Sequence, residues 1–217
     1  MKVALIGATG FVGSAVLNEL TNRGHQVTAI ARNPEKAEGA GPGVTVRKAD
    51  VYNADEVAAA VEGHDAVVST FNSGWTNPNI YDDFLKGAKA IQEGIKKAGV
   101  KRLLFVGGAG SLYVAPGVQL IDTPQFPAEY KAGASAARDY LTHLQGEQDL
   151  HWAFLSPAIE MHQGTSGVRK GAYRKGLENP VFDDNGRSII SVEDLAIAIV
   201  DELEQANHVR QRFTVAY

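Results

Sequence analysis

Gly7, Gly10 and Gly13 recur at every third position in the run Gly7-Ala8-Thr9-Gly10-Phe11-Val12-Gly13. An apolar run at 3–6 leads straight into them, and a stretch with helical apolar spacing at 11–23 follows. Glycines set between a strand and a helix have a chemical use. The turn needs torsions that cost only glycine little, and a missing side chain lets a pyrophosphate reach the backbone. The opening helical turn adds amide donors and the favourable end of its dipole. Thr9 offers a further hydroxyl donor. The spacing is wider than in the G-x-G-x-x-G fingerprint, but the physical requirement is the same.

If a dinucleotide sits there, its ribose is read at the end of the next strand. NAD-selective sites place an acid at that point; this chain has Ala31-Arg32-Asn33. The planar, always-charged fork of Arg32 suits a ribose phosphate, and Lys36 adds a second cation, so the expected cofactor is NADP, with NAD possible. Asp50 closes the third strand as a candidate for the adenine edge. Thr70 and Phe71 close the fourth, bordering the pyrophosphate and the nicotinamide side. The loop Phe71-Asn72-Ser73-Gly74-Trp75 is expected to bring two aromatic rings to the carboxyl edge of the sheet, with Asn72 and Trp75 against a flat acceptor.

The elements that must position these residues alternate. Strands are predicted at 3–6, 26–31, 44–49, 65–70 and 102–106, with helices between them at 11–23, 54–62 and 80–98. Gly24, Gly63 and Gly99 lie where helices end. Later, a helix at 128–145, a strand at 151–155, a helix at 193–204 and a strand at 212–216 complete the pattern. Continuously apolar strands alternating with helices predict an α/β fold with a doubly wound parallel sheet, the Rossmann architecture. The chain reads as one domain, 1–217, with the glycine-rich stretch 156–187 as a small C-terminal substrate-side lobe.

Composition bounds the rest. Net charge is -4, from 21 basic and 25 acidic residues without a basic stripe, so nucleic acid is not an expected partner. There is no cysteine, which excludes disulfides, thiolate catalysis and thiolate-held metals and points to the cytoplasm. No apolar run is long enough to span a bilayer. The six histidines are scattered without metal-ligand spacing, so no metal is expected. A GxSxG elbow and a Walker lysine are both absent. Arg169, Lys170, Arg174 and Lys175 form a basic cluster that either is solvated or attracts an anionic substrate. The 128–145 helix packs either in a dimer or on the sheet, leaving monomer and homodimer open.

GATGFVG at the start, Arg32, the Ala49-Asp50-Val51 corner, Gly107-Gly108-Ala109-Gly110-Ser111, Ser156-Pro157-Ala158 and Ile190-Ser191-Val192-Glu193-Asp194-Leu195-Ala196 together resemble the atypical short-chain dehydrogenase/reductases. The resemblance extends over essentially the whole chain. It is strongest to the NAD(P)H-binding group of NADH-flavin reductases, biliverdin reductase B and NmrA-like proteins. It implies a nicotinamide cofactor, with Val51, Gly107, Gly108, Ser156, Pro157 and Ala158 beside it, and reduction of flavins, quinones or similar planar acceptors. Several NmrA-like relatives bind cofactor without turnover.

Typical members pair a catalytic tyrosine with a lysine one helical turn later, which lowers the phenol's pKa. Here Tyr130 is followed at that spacing by Ala134, and Tyr140 by Leu144. A flavin or quinone suits this absence, because its reduced anion takes a proton from water. Ser111 is the candidate hydroxyl for orienting the acceptor, with Tyr130 the alternative proton donor; Tyr113, Phe126 and Met161 are candidate walls. The expected function is an NADPH-preferring oxidoreductase. The alternatives are a non-catalytic NADP-binding sensor and, against the missing base, a nucleotide-sugar epimerase or dehydratase.

Overall fold

The computed structural model describes residues 1–36 and 41–217, and of Lys36 only the backbone. The chain runs β1 (Lys2–Ile6), α1 (Phe11–Asn22), β2 (Gln26–Ala31), β3 (Val44–Lys48), α2 (Ala54–Val61), β4 (Ala66–Ser69), α3 (Ile80–Lys97), β5 (Arg102–Val106), β6 (Tyr113–Ala115), β7 (Val118–Gln119), α4 (Ala128–Gln145), β8 (His151–Ser156), β9 (Arg174–Gly176), α5 (Val192–Gln205) and β10 (Gln211–Ala216). The predicted strands and helices form within a residue or so of their expected bounds. Gly24, Gly63 and Gly99 follow α1, α2 and α3 with φ of +77°, +76° and +72°, the left-handed stop that glycine adopts without strain.

Strands apolar on both faces must be covered on both. The main sheet is ordered β3-β2-β1-β4-β5-β8-β10-β9. It is parallel except at its last edge, where β9 pairs antiparallel with β10. One face is sealed by α1 and α5 through Val16, Leu17, Leu20, Leu195 and Ile199. The other is sealed by α2, α3 and α4 through Val57, Phe84, Ile91 and Tyr140. The sheet is therefore doubly wound, and its winding reverses between β1 and β4, where such sheets open a crevice at their carboxyl edge.

Two features escape the periodicity of the sequence. β6 and β7 form a short separate hairpin closed at Gly117, whose φ is +71°. Within 156–187, the expected lobe, β9 joins the main sheet as its edge strand, and Gln163–Thr165 forms a single helical turn. The late segment is tied to α5 by Asp194, a buried carboxylate that accepts the Lys170 and Gly171 amides, each at 2.9 Å, and the Tyr217 hydroxyl.

Charge also holds the amino edge of the sheet. Arg102, at the start of β5, is buried and donates to the Glu202 carboxylate at 2.6 Å and to the carbonyls of Glu202, His151 and His208. It therefore adds a cationic donor at the last turn of α5, where the Glu202 carbonyl also accepts the Ala206 amide at 2.9 Å.

Glu147, in the turn between α4 and β8, clamps that turn to α3. Burial pushes its carboxyl pKa up. Hydrogen bonds from the Asp149 amide at 2.6 Å, Gln92 at 2.8 Å and Lys96 at 3.0 Å outweigh this and hold it at about 2. A carboxyl depressed on folding stabilises above its ordinary value of 4.5, and that stability is lost as pH falls through about 2. Glu147→Gln should therefore show a weaker fall in melting temperature across this acid range than the parent chain, as followed by circular dichroism. Equal acid slopes in the two chains would show that the carboxylate carries no such load.

Candidate functional site

The glycine turn lies at the winding reversal, between the ends of β1 and β4. Gly7 has φ of +83°, and a Cβ there would fall 2.7 Å from Thr70 Oγ1. A Cβ on Gly13 would lie 2.0 Å from the Gly7 carbonyl oxygen, so helix and turn touch backbone to backbone. The protein itself demands these two glycines. Gly10 differs: it is exposed, its φ of -80° and ψ of 173° suit any residue, and a Cβ there would meet only the Gly7 carbonyl oxygen, at 3.3 Å. Torsion does not ask for glycine there, and packing asks for less than at Gly7 or Gly13, since a Cβ at 3.3 Å needs only a small shift of the turn; the missing side chain also keeps the space above the turn open.

That space faces the start of α1. Gly10 N donates to the Gly7 carbonyl at 3.0 Å and Ser14 N to the Gly10 carbonyl at 2.9 Å, so helical pairing begins at Ser14. The amides of Phe11, Val12 and Gly13 precede it, and Gly10 brings no side-chain cap. Uncapped amides at the positive end of a 12-residue helix suit a pyrophosphate. Thr9 is exposed beside them. Thr70 frames the turn from β4, its hydroxyl donating to the Ile6 and Gly7 carbonyls at 3.1 and 3.2 Å.

At the end of β2, Arg32 is exposed and forms no ion pair among the described residues. The side chain of Lys36, expected as its companion, lies outside them. Asp50 is exposed, with one carboxylate oxygen accepting the Tyr52 amide at 3.0 Å. Val51 is buried in the core.

Phe71 corrects the expectation of two rings at the edge. Its ring is buried, stacked on Phe84 at 5.8 Å and edge-on to Tyr52 at 6.0 Å, because a Gly87 without a side chain leaves α3 room to receive it. Trp75 remains outside, 56% exposed, and finds a different partner: Tyr130, 47% exposed, meets it edge to face at 5.3 Å. Gly133 on α4 makes this possible, since a Cβ there would strike the indole at 2.8 Å. Asn72 is exposed, its side-chain Oδ1 accepting the Gly74 amide at 2.7 Å.

Ser111 is corrected too. It is buried, and its hydroxyl accepts from Arg212 at 3.0 Å instead of facing an acceptor. Arg212 also reaches the buried Ser156 hydroxyl at 3.4 Å and pairs with Glu178. Neither Arg212 nor Glu178 stands out in the sequence; the one signal is that Arg212 is the single charge in the final strand. Pro157 and Ala158 are buried beside Ser156. Gly107 is required by packing, a Cβ there lying 1.9 Å from the Phe154 ring, whereas a Cβ on Gly108 would meet Ala137 at an ordinary 3.8 Å. Tyr113 is half-buried at the start of the β6–β7 hairpin, and Met161 packs on the core face that carries α1 and α5.

The basic cluster is dispersed into structural ties. Arg169 pairs with Glu19 at 2.7 Å, the Lys170 ammonium lies 3.6 Å from the Tyr217 ring centroid, and Arg174 donates to the Phe182 carbonyl at 2.6 Å. Tyr140, the second helical tyrosine, is fully buried, which pushes its phenol pKa well up. Among the described residues, no three His, Cys, Asp or Glu side chains are grouped to hold a metal, and no helix is long and apolar enough to cross a membrane.

Comparison with known proteins agrees with the glycine turn. The family model described as NAD(P)H-binding matches residues 7–206. The uncharacterized protein YwnB of Bacillus subtilis is 40% identical, the match covering 99% of this chain and 98% of that protein. A "putative epimerase" from Bacteroides thetaiotaomicron superposes with a TM-score of 0.91 at 48% identity, covering 100% of this chain and 96% of the other. A "putative NADH-flavin reductase" from Streptococcus pneumoniae superposes with a TM-score of 0.84 at 34% identity, covering 100% and 99%.

The glycines should separate under substitution. Gly10→Val should lower the melting temperature less than Gly13→Ala does while weakening NADPH binding on the order of 100-fold, about 2.7 kcal/mol, in calorimetric titration. Gly13→Ala should lower the melting temperature further, since its Cβ has nowhere to go. Full NADPH affinity in Gly10→Val would put the pyrophosphate elsewhere.

Proposed function

The chain belongs to the NAD(P)H-binding family, and on that premise we propose that it is an oxidoreductase that prefers NADPH and reduces a flavin, a quinone or a similar planar acceptor. The observation that carries this reading is Gly10: an exposed glycine with ordinary torsions and one close neighbour, at the uncapped start of α1. When bound, the dinucleotide supplies the hydride. The chain's own work is to hold and orient the two partners.

In this reading the amides of Phe11, Val12 and Gly13 receive the pyrophosphate with Thr9, and Asp50 addresses the adenine edge. Arg32 offers its fork to the ribose phosphate, the chemistry that separates NADPH from NADH. The perpendicular rings of Trp75 and Tyr130 form an apolar wall against which a flat acceptor can lie.

The proton decides the class of acceptor. Tyr130 has no lysine one turn later, and the Tyr140 phenol is sealed in the core. An alkoxide product would need an internal acid, whereas a reduced flavin or quinone takes its proton from water. A nucleotide-sugar epimerase, which needs an internal base, is disfavoured for the same reason. The missing tyrosine-lysine pair also supports a second reading, an NADP-binding sensor without turnover. We place either activity in the cytoplasm, because a cysteine-free chain has no use for an oxidising compartment.

Titration with NADPH and NADH, followed in the same sample by addition of flavin mononucleotide or menadione, separates these readings. Tight NADPH binding with loss of nicotinamide absorbance is the expected result; tight binding with no oxidation by any acceptor would favour the sensor. Arg32→Ala should cost NADPH about 1–3 kcal/mol, the scale of a hydrogen bond to a charged group, and leave NADH nearly unchanged. Equal losses for both would remove Arg32 from the phosphate.

A further inference from the structure

Arg212 is a buried cation for which hydride transfer has no use. Its side chain is 2% exposed, where the ends of β8 and the turn after β5 meet. One terminal nitrogen serves the Ser111 and Ser156 hydroxyls, and Nε is buried without a hydrogen-bond partner among the described residues. The other terminal nitrogen donates to Glu178, the carboxylate that balances it. A buried guanidinium without a counter-charge is strongly unfavourable, so Arg212 needs an anion at that position.

Glu178 is an unusual counter-ion for so enclosed a cation, because its own side chain is 50% exposed. It lies in the wall of a concavity of about 430 Å³ shared with Tyr113, Pro116, Gly117 and Asn179. The frame of this concavity does not depend on the Glu178 carboxylate. The Tyr113 amide donates to the Glu178 backbone carbonyl at 2.8 Å, and the Asn179 side chain donates to the Tyr113 carbonyl at 2.8 Å. The carboxylate can swing into solvent while the hairpin and the 178–179 segment stay joined.

A fixed, buried cation facing a half-exposed anion on a rigid frame is an exchangeable site: an incoming carboxylate replaces Glu178 with no change in the charge around Arg212. We propose that this concavity is a carboxylate subsite, in which a ligand's carboxylate displaces Glu178 and pairs with Arg212. Tyr113, in the wall of the concavity, supplies an aromatic surface for the body of the ligand. The inference deepens the function proposed above by giving the planar acceptor an acidic substituent, and it rests on that reading only for the ligand's being the acceptor.

Thermal melting with benzoate as probe tests the subsite without cofactor or turnover. In chloride buffer Glu178→Ala should melt below the parent. Benzoate at tens of millimolar should raise its melting temperature by about 2–4 °C, the scale of a one-kilocalorie gain in a chain of this size. Neutral benzamide at the same concentration should not, and the parent, whose own carboxylate competes, should respond less. The double variant Glu178→Ala/Arg212→Met should lose the response. Equal effects of benzoate and benzamide, or a benzoate response that survives loss of Arg212, would overturn the proposal. A chain that does not oxidise NADPH with any acceptor can still pass this test, and a working reductase can fail it, so the two readings fall separately.

Discussion

The backbone contact between Gly13 and Gly7 is the constraint on which the rest of the molecule depends. With 2.0 Å between a virtual Cβ on Gly13 and the Gly7 carbonyl oxygen, α1 can start where it does only if Gly13 lacks a side chain, while Gly7 must be glycine for its φ of +83° and for Thr70. That start sets the helix over β1 and β2, and it leaves the first-turn amides at the winding reversal of the sheet. Thr70, at the end of β4, locks the same turn from the other side. Local packing and the capacity to receive a pyrophosphate therefore come from one contact. Gly10, exposed and with ordinary torsions, is the least constrained by the first duty.

A second theme is how the chain uses charge inside the fold. Arg102, Asp194 and Arg212 are all buried, and each is met by several partners instead of a single ion. Arg102 serves carbonyls at the base of the sheet, and Asp194 collects two amides and two hydroxyls that bind the late segment to α5. Arg102 is balanced by Glu202, itself buried, and Asp194 by backbone amides. Arg212 alone balances itself with a half-exposed carboxylate, and it does so at the carboxyl edge. A closed network confers rigidity, while an open one leaves a polar demand that a ligand can meet.

Aromatic residues divide along similar lines. Phe71, Phe84, Phe105, Tyr140 and Phe154 form a continuous packed series between the sheet and α3 and α4. Trp75 and Tyr130 stand outside it, against each other. Gly87 and Gly133 decide which ring goes where: the first admits Phe71 to the core, and the second lets the indole lie on α4.

The elements of the sheet were legible in the sequence because strand and helix periodicity, and the glycine that ends a helix, are properties of neighbouring residues. The doubly wound order follows from the alternation of those elements, and the glycine turn from its place between β1 and α1. The destinations of single side chains were not legible. Phe71 and Trp75 lie on one short loop and look alike in sequence, yet one is core and the other surface, because glycines on α3 and α4 receive them. Ser111 reads as an open loop hydroxyl until Arg212, distant in sequence, is folded over it. The cluster from Arg169 to Lys175 reads as a basic patch until Glu19 and Tyr217 are brought to it. Hydrophobic period specifies which elements form and which of their faces are covered. Which charges are buried, and which of them remain open to exchange, depends on contacts between residues far apart in the chain, and only the tertiary structure decides them.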